Sequence, residues 1–155
     1  MKINLLMASD DVLSGYLNID PYGSSKDKVQ GTVFDLADHV DDGEATEIVA
    51  TEVLEYIDRL NLDGTINNWI SKLAHGGKLV IGGTELYEVC KAASLFIINA
   101  DQTNALLYGD PTKPFLQKKN SLTVPMMTAV LKSKGLKVLQ QRVHGFKFTV
   151  VGERP

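Results

Sequence analysis

Apolar and polar positions follow two different periods along this chain, and together they predict strands that alternate with helices. Strands are expected where short runs are apolar on nearly every position or alternate between apolar and polar positions. Five such runs occupy residues 3–7, 16–20, 30–34, 47–51 and 77–82. Between the last two, apolar residues recur at the spacing of one helix face, which predicts a helix. They are Leu62, Ile66, Trp69, Ile70 and Leu73.

The second half of the chain predicts two more helices and a hairpin. Residues 85–98 and 124–133 have helical patterns, whereas residues 100–120 between them are less regular. Residues 136–142 and 147–151 alternate between apolar and polar positions on either side of a short turn. Such a pair of runs is typical of an antiparallel hairpin.

Strands that alternate with helices predict an α/β fold with a mostly parallel sheet that is covered by helices on both faces, with the hairpin as an antiparallel edge. Only residues 8–15 separate the first two strands, whereas a parallel crossover normally takes a dozen or more residues. The first helix is therefore expected to be missing or reduced to about one turn. Without internal repeats or a linker, residues 1–155 are expected to form a single domain.

Charge and cysteine content narrow the classes of partner and site. Sixteen basic and nineteen acidic residues give a net charge of −3, and the basic residues are scattered, so the sequence has no strong nucleic-acid signature. A single cysteine excludes an internal disulfide and a cysteine-based metal site. The three histidines lie far apart and show no ligand spacing, so no metal site is predicted. They are His39, His75 and His144.

Segments that would carry the chain into or across a membrane are also not predicted. Residues 1–7 lack the long apolar core and the cleavage site of a signal peptide. The longest apolar stretch, residues 92–100, is interrupted by Ser94 and Asn99 and is too short to span a bilayer. We therefore expect a cytoplasmic protein.

Four segments occur in an order that resembles one known group of proteins. N-L-L-M-A at residues 4–8 precedes G-Y-L-N-I-D at residues 15–20, and V-L-E-Y-I at residues 53–57 precedes G-G-K-L-V-I at residues 76–81. Together they resemble a group of small predicted class I S-adenosylmethionine (SAM) dependent methyltransferases, which begin with N-L-G-C-G and continue to G-Y-x-N-x-D. The resemblance covers nearly the whole chain, and it implies a Rossmann-like class I methyltransferase sheet.

The resemblance also implies a cofactor, SAM, and the residues that hold it. In an open α/β sheet, ligands bind outside the carboxyl ends of the strands, where the strand order reverses. In this group an acid after the second strand accepts hydrogen bonds from the ribose, and an acid after the third faces the adenine. The backbone after the first strand and the end of the fourth strand lie beside the methionine part. The expected cofactor-binding residues are Leu5, Leu6, Met7, Ala8, Asp20, Asp35, Leu36 and Thr51.

The same resemblance implies methyl transfer to an unidentified acceptor, with Glu52 and Tyr56 as the expected catalytic residues. A simpler interpretation makes Asp20 and Asp35 turn or cap residues, and Glu52 an acid of the first helical turn. For Glu55, the role of an acid of the first helical turn is the preferred interpretation.

The chain departs from the group's pattern at the turn after the first strand. Leu6, Met7 and Ala8 occupy the turn that is Gly-Cys-Gly in the group, whose glycines let the backbone approach the cofactor, and Tyr56 stands where the group commonly has histidine. The alternative function is therefore a non-catalytic binding or assembly module that keeps the fold and has lost SAM binding. The reduced first helix further predicts a homodimer that covers exposed sheet.

Overall fold

All seven strands of the chain lie in one sheet in the structure, a computed structural model that describes residues 1–155. The strands are β1 Lys2–Leu5, β2 Leu17–Asp20, β3 Val29–Gln30, β4 Ala45–Thr51, β5 Leu73–Thr84, β6 Lys137–His144 and β7 Lys147–Glu153. The helices are α1 Arg59–Lys72, α2 Leu86–Ser94, α3 Ala100–Tyr108 and α4 Val124–Ser133, and short 3₁₀ helices cover Leu54–Tyr56 and Pro114–Leu116.

The strand order across the sheet is β3-β2-β1-β4-β5-β7-β6. The first five strands pair in parallel, and β7 pairs antiparallel with both β5 and β6. The predicted mostly parallel, Rossmann-like sheet with an antiparallel hairpin is thus confirmed. β2 and β3 lie on one side of β1, and β4 and β5 lie on the other, so the strand order reverses between β1 and β4.

One face of the sheet, which we call the covered face, carries the main hydrophobic core. Its strand residues are apolar and buried: Ile3, Leu5, Ile19, Ile48, Ala50, Leu79, Ile81, Phe148 and Val150. Ile66 and Trp69 of α1 and Met127 and Leu131 of α4 belong to the same cluster. The Trp69 indole N–H also donates to the carbonyl of Val33 at 2.8 Å, so the loop before β4 closes this core.

The opposite face, which we call the open face, corrects the expectation of helices on both sides. Val49, Val80 and Val151 lie in register across its centre and are only partly buried. Both helices that enter the main core, α1 and α4, lie on the covered face. Alternation along each strand therefore separates a fully apolar face from a mixed one.

The connection from β1 to β2 contains no helix, as its length predicts. Two buried asparagines fasten it instead. Asn4 donates to the Asn18 side chain at 2.8 Å and to the carbonyl of Asp11 at 3.0 Å, and the Asn18 side chain exchanges hydrogen bonds with the backbone of Leu13 at 2.9 and 3.1 Å. Side-chain amides thus satisfy backbone groups that a helix would have satisfied internally.

Three elements differ from the predicted ones. The third strand is only two residues long, and the stretch predicted as irregular contains α3. That helix begins at a capping box, in which Asn99 and Gln102 satisfy each other's backbone N–H groups. The predicted helix over residues 85–98 stops at Ser94, before Phe96 takes a left-handed φ of 58°. None of the four helices is long and apolar enough to cross a bilayer.

Candidate functional site

The reversal of strand order at β1 and β4 creates a cleft at the carboxyl ends of these strands. After β1 the chain turns toward the open face, whereas after β4 it enters the 3₁₀ helix and α1 on the covered face. An open cleft of about 280 Å³ lies here, and its polar lining comes from Asn4, Asp11, Thr51, Glu52 and Lys147. We call it the switch-point cleft, because ligands of open α/β sheets bind where the order reverses.

Two of the sequence-predicted residues, Thr51 and Glu52, meet in this cleft at the end of β4. Glu52 has a left-handed backbone with φ of 59°, a strained conformation for a residue with a side chain. Its carboxylate contacts the ammonium of Lys147 at 2.7 Å. The hydrogen bond from Lys147 to Glu52 raises the pKa of Lys147, which keeps a charged pair at the mouth of the cleft.

The turn after β1 has a backbone conformation that is typical of glycine, although it contains no glycine. Ala8 has φ of 52°, which favours glycine because a Cβ crowds the backbone there. The three residues before it, Leu5, Leu6 and Met7, are almost completely buried. Their side chains fill the interior, so from this turn only backbone and the partly buried Ala8 face the edge of the sheet.

Asp20 ends β2 and is fully buried, yet its carboxylate has three donors within the chain. One oxygen accepts the backbone N–H groups of Ala8 and Tyr22, each at 3.0 Å. The other oxygen contacts the ammonium of Lys28 at 3.3 Å. Asp20 therefore links the turn after β1 to the end of β2, and Lys28 covers its second oxygen.

Lys28 was not predicted as a site residue, and no periodic pattern in the sequence would have singled it out. Its side chain is 12% exposed, and its ammonium also contacts the carbonyl of Ser9 at 3.0 Å and the carboxylate of Asp10 at 3.4 Å. Burial lowers the pKa of Lys28, but the hydrogen bonds and charges of Asp20 and Asp10 outweigh burial and raise it above its ordinary value. Lys28 is therefore a cation that bridges the loops after β1 and β2.

Asp35 and Leu36 lie away from the switch-point cleft, against α1 on the covered face. The Asp35 carboxylate accepts from the side chain of Asn68 at 2.8 Å and from the backbone N–H of Ala37 at 3.0 Å. Leu36 is completely buried in the main core, and its N–H donates to Asn68 at 3.0 Å. The structure thus places Thr51 and Glu52 in the switch-point cleft and Asp20 at the end of β2, on the other side of β1, and it separates all three from Asp35 and Leu36.

Tyr56 lies in the 3₁₀ helix after β4 and is partly buried against the core. Burial, followed by the charges of Glu55, Glu52 and Asp110, raises its pKa to about 12. The hydroxyl therefore keeps its proton at neutral pH, and it can donate a hydrogen bond but is a poor general base.

Glu55, expected to be a simple helix acid, is instead a buried anchor for the segment between β5 and α4. Its carboxylate accepts the N–H of Thr84 at 2.9 Å and contacts the ammonium of Lys118 at 2.7 Å. Lys118 also donates to the Thr84 hydroxyl at 2.8 Å. A Cβ on Gly83 would approach the Glu55 carboxylate within 2.5 Å, so glycine is required there.

The segment held by Glu55 forms a second concave surface beside the strand ends. An open cavity of about 610 Å³ lies between α3 and the loop that follows it, with Asn104, Tyr108 and Gln117 in its lining. Phe115 of the same segment stacks on Tyr22, with ring centroids 4.4 Å apart. Because Tyr22 follows β2, this stack joins two parts of the chain whose strands are separated in the sheet by β1 and β4.

Neither a protein-family profile nor a curated protein matches the sequence. Among solved structures, a SAM-dependent methyltransferase from Methanosarcina mazei is 12% identical over 99% of this chain and 92% of its own, with a TM-score of 0.67. A SAM-dependent methyltransferase from Archaeoglobus fulgidus is 12% identical over 90% of this chain and 76% of its own, with a TM-score of 0.60.

The chain spans about a third of the longer methyltransferases it resembles. An O-methyltransferase family protein from Burkholderia thailandensis is 18% identical over 82% of this chain but only 35% of its own, with a TM-score of 0.54. Identities this low establish the fold alone. The fold is that of class I SAM-dependent methyltransferases.

Proposed function

We propose that this chain transfers a methyl group from SAM to an acceptor at the switch-point cleft. The observation that carries the proposal is the meeting of Thr51 and the left-handed Glu52 at the reversal of strand order. A buried acid, Asp20, stands at the end of β2, which β1 separates from β4. The shared fold with SAM-dependent methyltransferases supports this assignment.

The residues at this edge fit SAM on one condition, which is that the Lys28 ammonium leaves Asp20. The carboxylate oxygen that Lys28 covers would then accept hydrogen bonds from the ribose hydroxyls. Thr51 and the backbone from Leu5 to Ala8 would border the methionine part. Asp35 and Leu36 belong to the proposal as residues of the loop at the adenine end, with the Asp35 carboxylate held by Asn68.

The cofactor supplies an electrophilic methyl group on a sulfonium, and this chain supplies the positioning. Transfer is an in-line displacement, so orientation of the two reactants provides much of the acceleration. Glu52 would orient the nucleophile and accept its proton, with Lys147 holding the carboxylate in place. Tyr56 would donate a hydrogen bond to the acceptor, because its raised pKa keeps the hydroxyl protonated. The 610 Å³ cavity beside Asn104 and Tyr108 is the proposed place for the body of the acceptor.

A second candidate function is a binding or assembly module that keeps this fold without the cofactor. The specific observation in its favour is that Asp20 is fully buried and already accepts from Ala8, Tyr22 and Lys28. Leu6 and Met7, buried in the turn that the resemblance leads one to expect as Gly-Cys-Gly, favour the same alternative.

Calorimetric titration with SAM and with its demethylated product separates the two candidates. Under the first, the wild-type chain binds with micromolar affinity, and Lys28→Ala binds at least as tightly because the Asp20 carboxylate is released. Adding Asp20→Asn to Lys28→Ala keeps the side-chain shape and should weaken binding about tenfold or more, or about 1.4 kcal/mol. Lys26→Ala, an exposed lysine of the same loop, is the matched control.

Absence of binding to both the wild-type chain and Lys28→Ala, each with a cooperative unfolding transition, would reject methyl transfer. The module would then be the remaining candidate. Equal binding by all variants would instead reject the role of Asp20 while keeping a cofactor site.

A further inference from the structure

We propose that the open face of the sheet is a docking surface for a second copy of this chain. The open face consists of the outward residues of β1, β4, β5, β7 and β6, on the side away from α1 and α4. This inference does not depend on the proposed function, because it rests on the pattern of charges and apolar residues across the strands.

A row of alternating charges crosses this face near the amino ends of the parallel strands. The register pairs Lys2 with Glu47, Glu47 with Lys78, Lys78 with Glu153, and Glu153 with Lys137. Five adjacent strands thus present charges in the order plus, minus, plus, minus, plus. The Lys2 ammonium lies 3.6 Å from the Glu47 carboxylate and 5.3 Å from the centroid of the Tyr16 ring.

An apolar row lies two residues further along the same strands. Val49, Val80 and Val151 pair with one another across β4, β5 and β7, and each is only partly buried. Branched side chains at the centre of a bare sheet face are unusual for a surface that faces only water. The face thus combines a central apolar strip with a charged margin, which is the arrangement of a protein interface.

The alternating row selects a second copy as the partner because it is complementary to itself. Consider two open faces packed together with a two-fold axis parallel to the strands and running between β4 and β5. Residues at the same height then meet, so Glu47 faces Lys78 of the second copy and Lys2 faces Glu153 of the second copy. The same operation places Val49 against Val80 of the second copy. An axis along β5 itself would place Lys78 against Lys78, so the charges also define the register.

The size of the face predicts a weak dimer. Four strands of each copy face one another, and at about 4.8 Å between strands and about 3.3 Å for each of five residues they give a projected area of roughly 320 Å². Standard interfaces bury about 800 Å² per partner, so this contact belongs to the weak class. We therefore expect monomers and dimers to exchange at concentrations of roughly 10–100 µM, the range of weak, transient complexes.

Sedimentation equilibrium on the full chain tests the inference, from roughly 5 to 500 µM, a range set to bracket the expected association. The expected result is a molecular mass that rises from monomer toward dimer, with weaker association in 1 M salt, where the screening length is about 3 Å. Lys78→Glu creates three adjacent negative charges and should weaken association about tenfold or more. Lys26→Glu makes the same change of charge away from the open face and should leave association unchanged.

A mixing experiment distinguishes docking from an effect on folding. Glu47→Lys with Glu153→Lys makes the whole row positive, so this variant should not associate with itself. Mixed with Lys78→Glu it should form a heterodimer, because opposite charges then meet at three of the four facing positions of the row. A monomeric wild-type chain at all concentrations, or the absence of a heterodimer between two variants with intact unfolding transitions, would overturn the inference. SAM binding is measured separately, so either proposal can fail without the other.

Discussion

The two faces of the sheet are made by the same strands and yet differ in almost every property. On the covered face, Val150 is completely buried in a core shared with α1 and α4. On the open face, its neighbour Val151 is only partly buried and pairs with Val80 of β5. The covered face also holds the ion pair of Glu55 and Lys118, whereas Glu52 and Lys147 pair at the edge of the open face.

The covered face stabilises the fold, whereas the open face is available for binding. Burial gives each apolar side chain of the covered face about 1.5–3 kcal/mol of stabilisation, and it leaves no room for a ligand. The open face contributes less to stability, and it borders the switch-point cleft through Asn4, Thr51 and Thr149. We therefore expect substitutions on the covered face to unfold the chain and substitutions on the open face to change its binding.

The largest expected effect comes from the two ion pairs. Glu55→Ala leaves the Lys118 ammonium buried without its partner and should lower the free energy of unfolding by about 3–5 kcal/mol. Glu52→Ala removes an exposed pair and should cost about 0–1 kcal/mol. Urea unfolding followed by circular dichroism measures both. The double variant Glu55→Gln with Lys118→Met should recover part of the loss, and similar losses for Glu52→Ala and Glu55→Ala would contradict the comparison.

The next effect uses neighbouring valines of β7 as a matched pair. Val150→Ala creates a cavity in the core and should cost about 2–3 kcal/mol, whereas Val151→Ala should cost less than about 1 kcal/mol. Thermal unfolding at low protein concentration measures the two values without a contribution from dimer formation. Equal losses would mean that the open face is covered by the chain itself.

Ala8→Gly tests the strained turn that follows β1. A left-handed alanine is strained by roughly 1–2 kcal/mol, and glycine removes that strain while adding up to about 1 kcal/mol of backbone entropy. We therefore expect a small gain of about 0.5 kcal/mol in the free energy of unfolding. Ala8→Val, with a branched side chain, should lose stability instead. A loss on substitution by glycine would show that the Ala8 methyl group is needed for packing.

Two tyrosines with raised pKa values give an effect that is confined to high pH. Burial is the main cause for Tyr56, whose pKa is about 12, whereas the hydrogen bond to Glu47 is the main cause for Tyr16 on the open face. Both groups favour their protonated form in the folded chain. Their contribution to stability is therefore present below pH 10 and is lost as the pH rises through the folded pKa values.

Ultraviolet absorbance of tyrosinate across this range measures the titration. Glu47→Gln should move one titration toward pH 10 and leave the highest one in place, whereas Tyr56→Phe should remove the highest one. At neutral pH, Tyr56→Phe should change the free energy of unfolding by about 0.5 kcal/mol or less. A Glu47→Gln variant that shifts the highest titration would contradict the assignment.

The order and type of most elements could be predicted because they depend on local patterns. The runs predicted at residues 3–7, 16–20, 47–51 and 77–82 correspond to β1, β2, β4 and β5, and the predicted helix over residues 124–133 is α4 itself. The missing first helix followed from the number of residues between β1 and β2. The third strand was predicted too long and α3 was missed, since a two-residue edge strand and a helix with no buried residue leave little periodicity.

The candidate site was only partly predictable. Thr51 and Glu52 could be assigned to the end of β4 from their position after an alternating run, and Asp20 to the end of β2. Lys28 and Lys118 could not be paired with Asp20 and Glu55, because neither pair falls at a spacing that a helix or strand pattern would indicate. The partner of the Asp35 carboxylate could not be predicted either, because it is Asn68 of α1, whose position depends on how that helix packs.

Alternation, helical spacing and connection length are local quantities, so the parallel sheet, the closing hairpin and the short connection after β1 could be inferred from the sequence. Which face of that sheet stays open depends on how the helices pack in three dimensions. Tertiary structure also decided that Lys28 covers Asp20 and that Glu55 anchors the segment before α4. The physical reason is that burial and charge pairing depend on which segments meet in space, and local spacing carries no record of that.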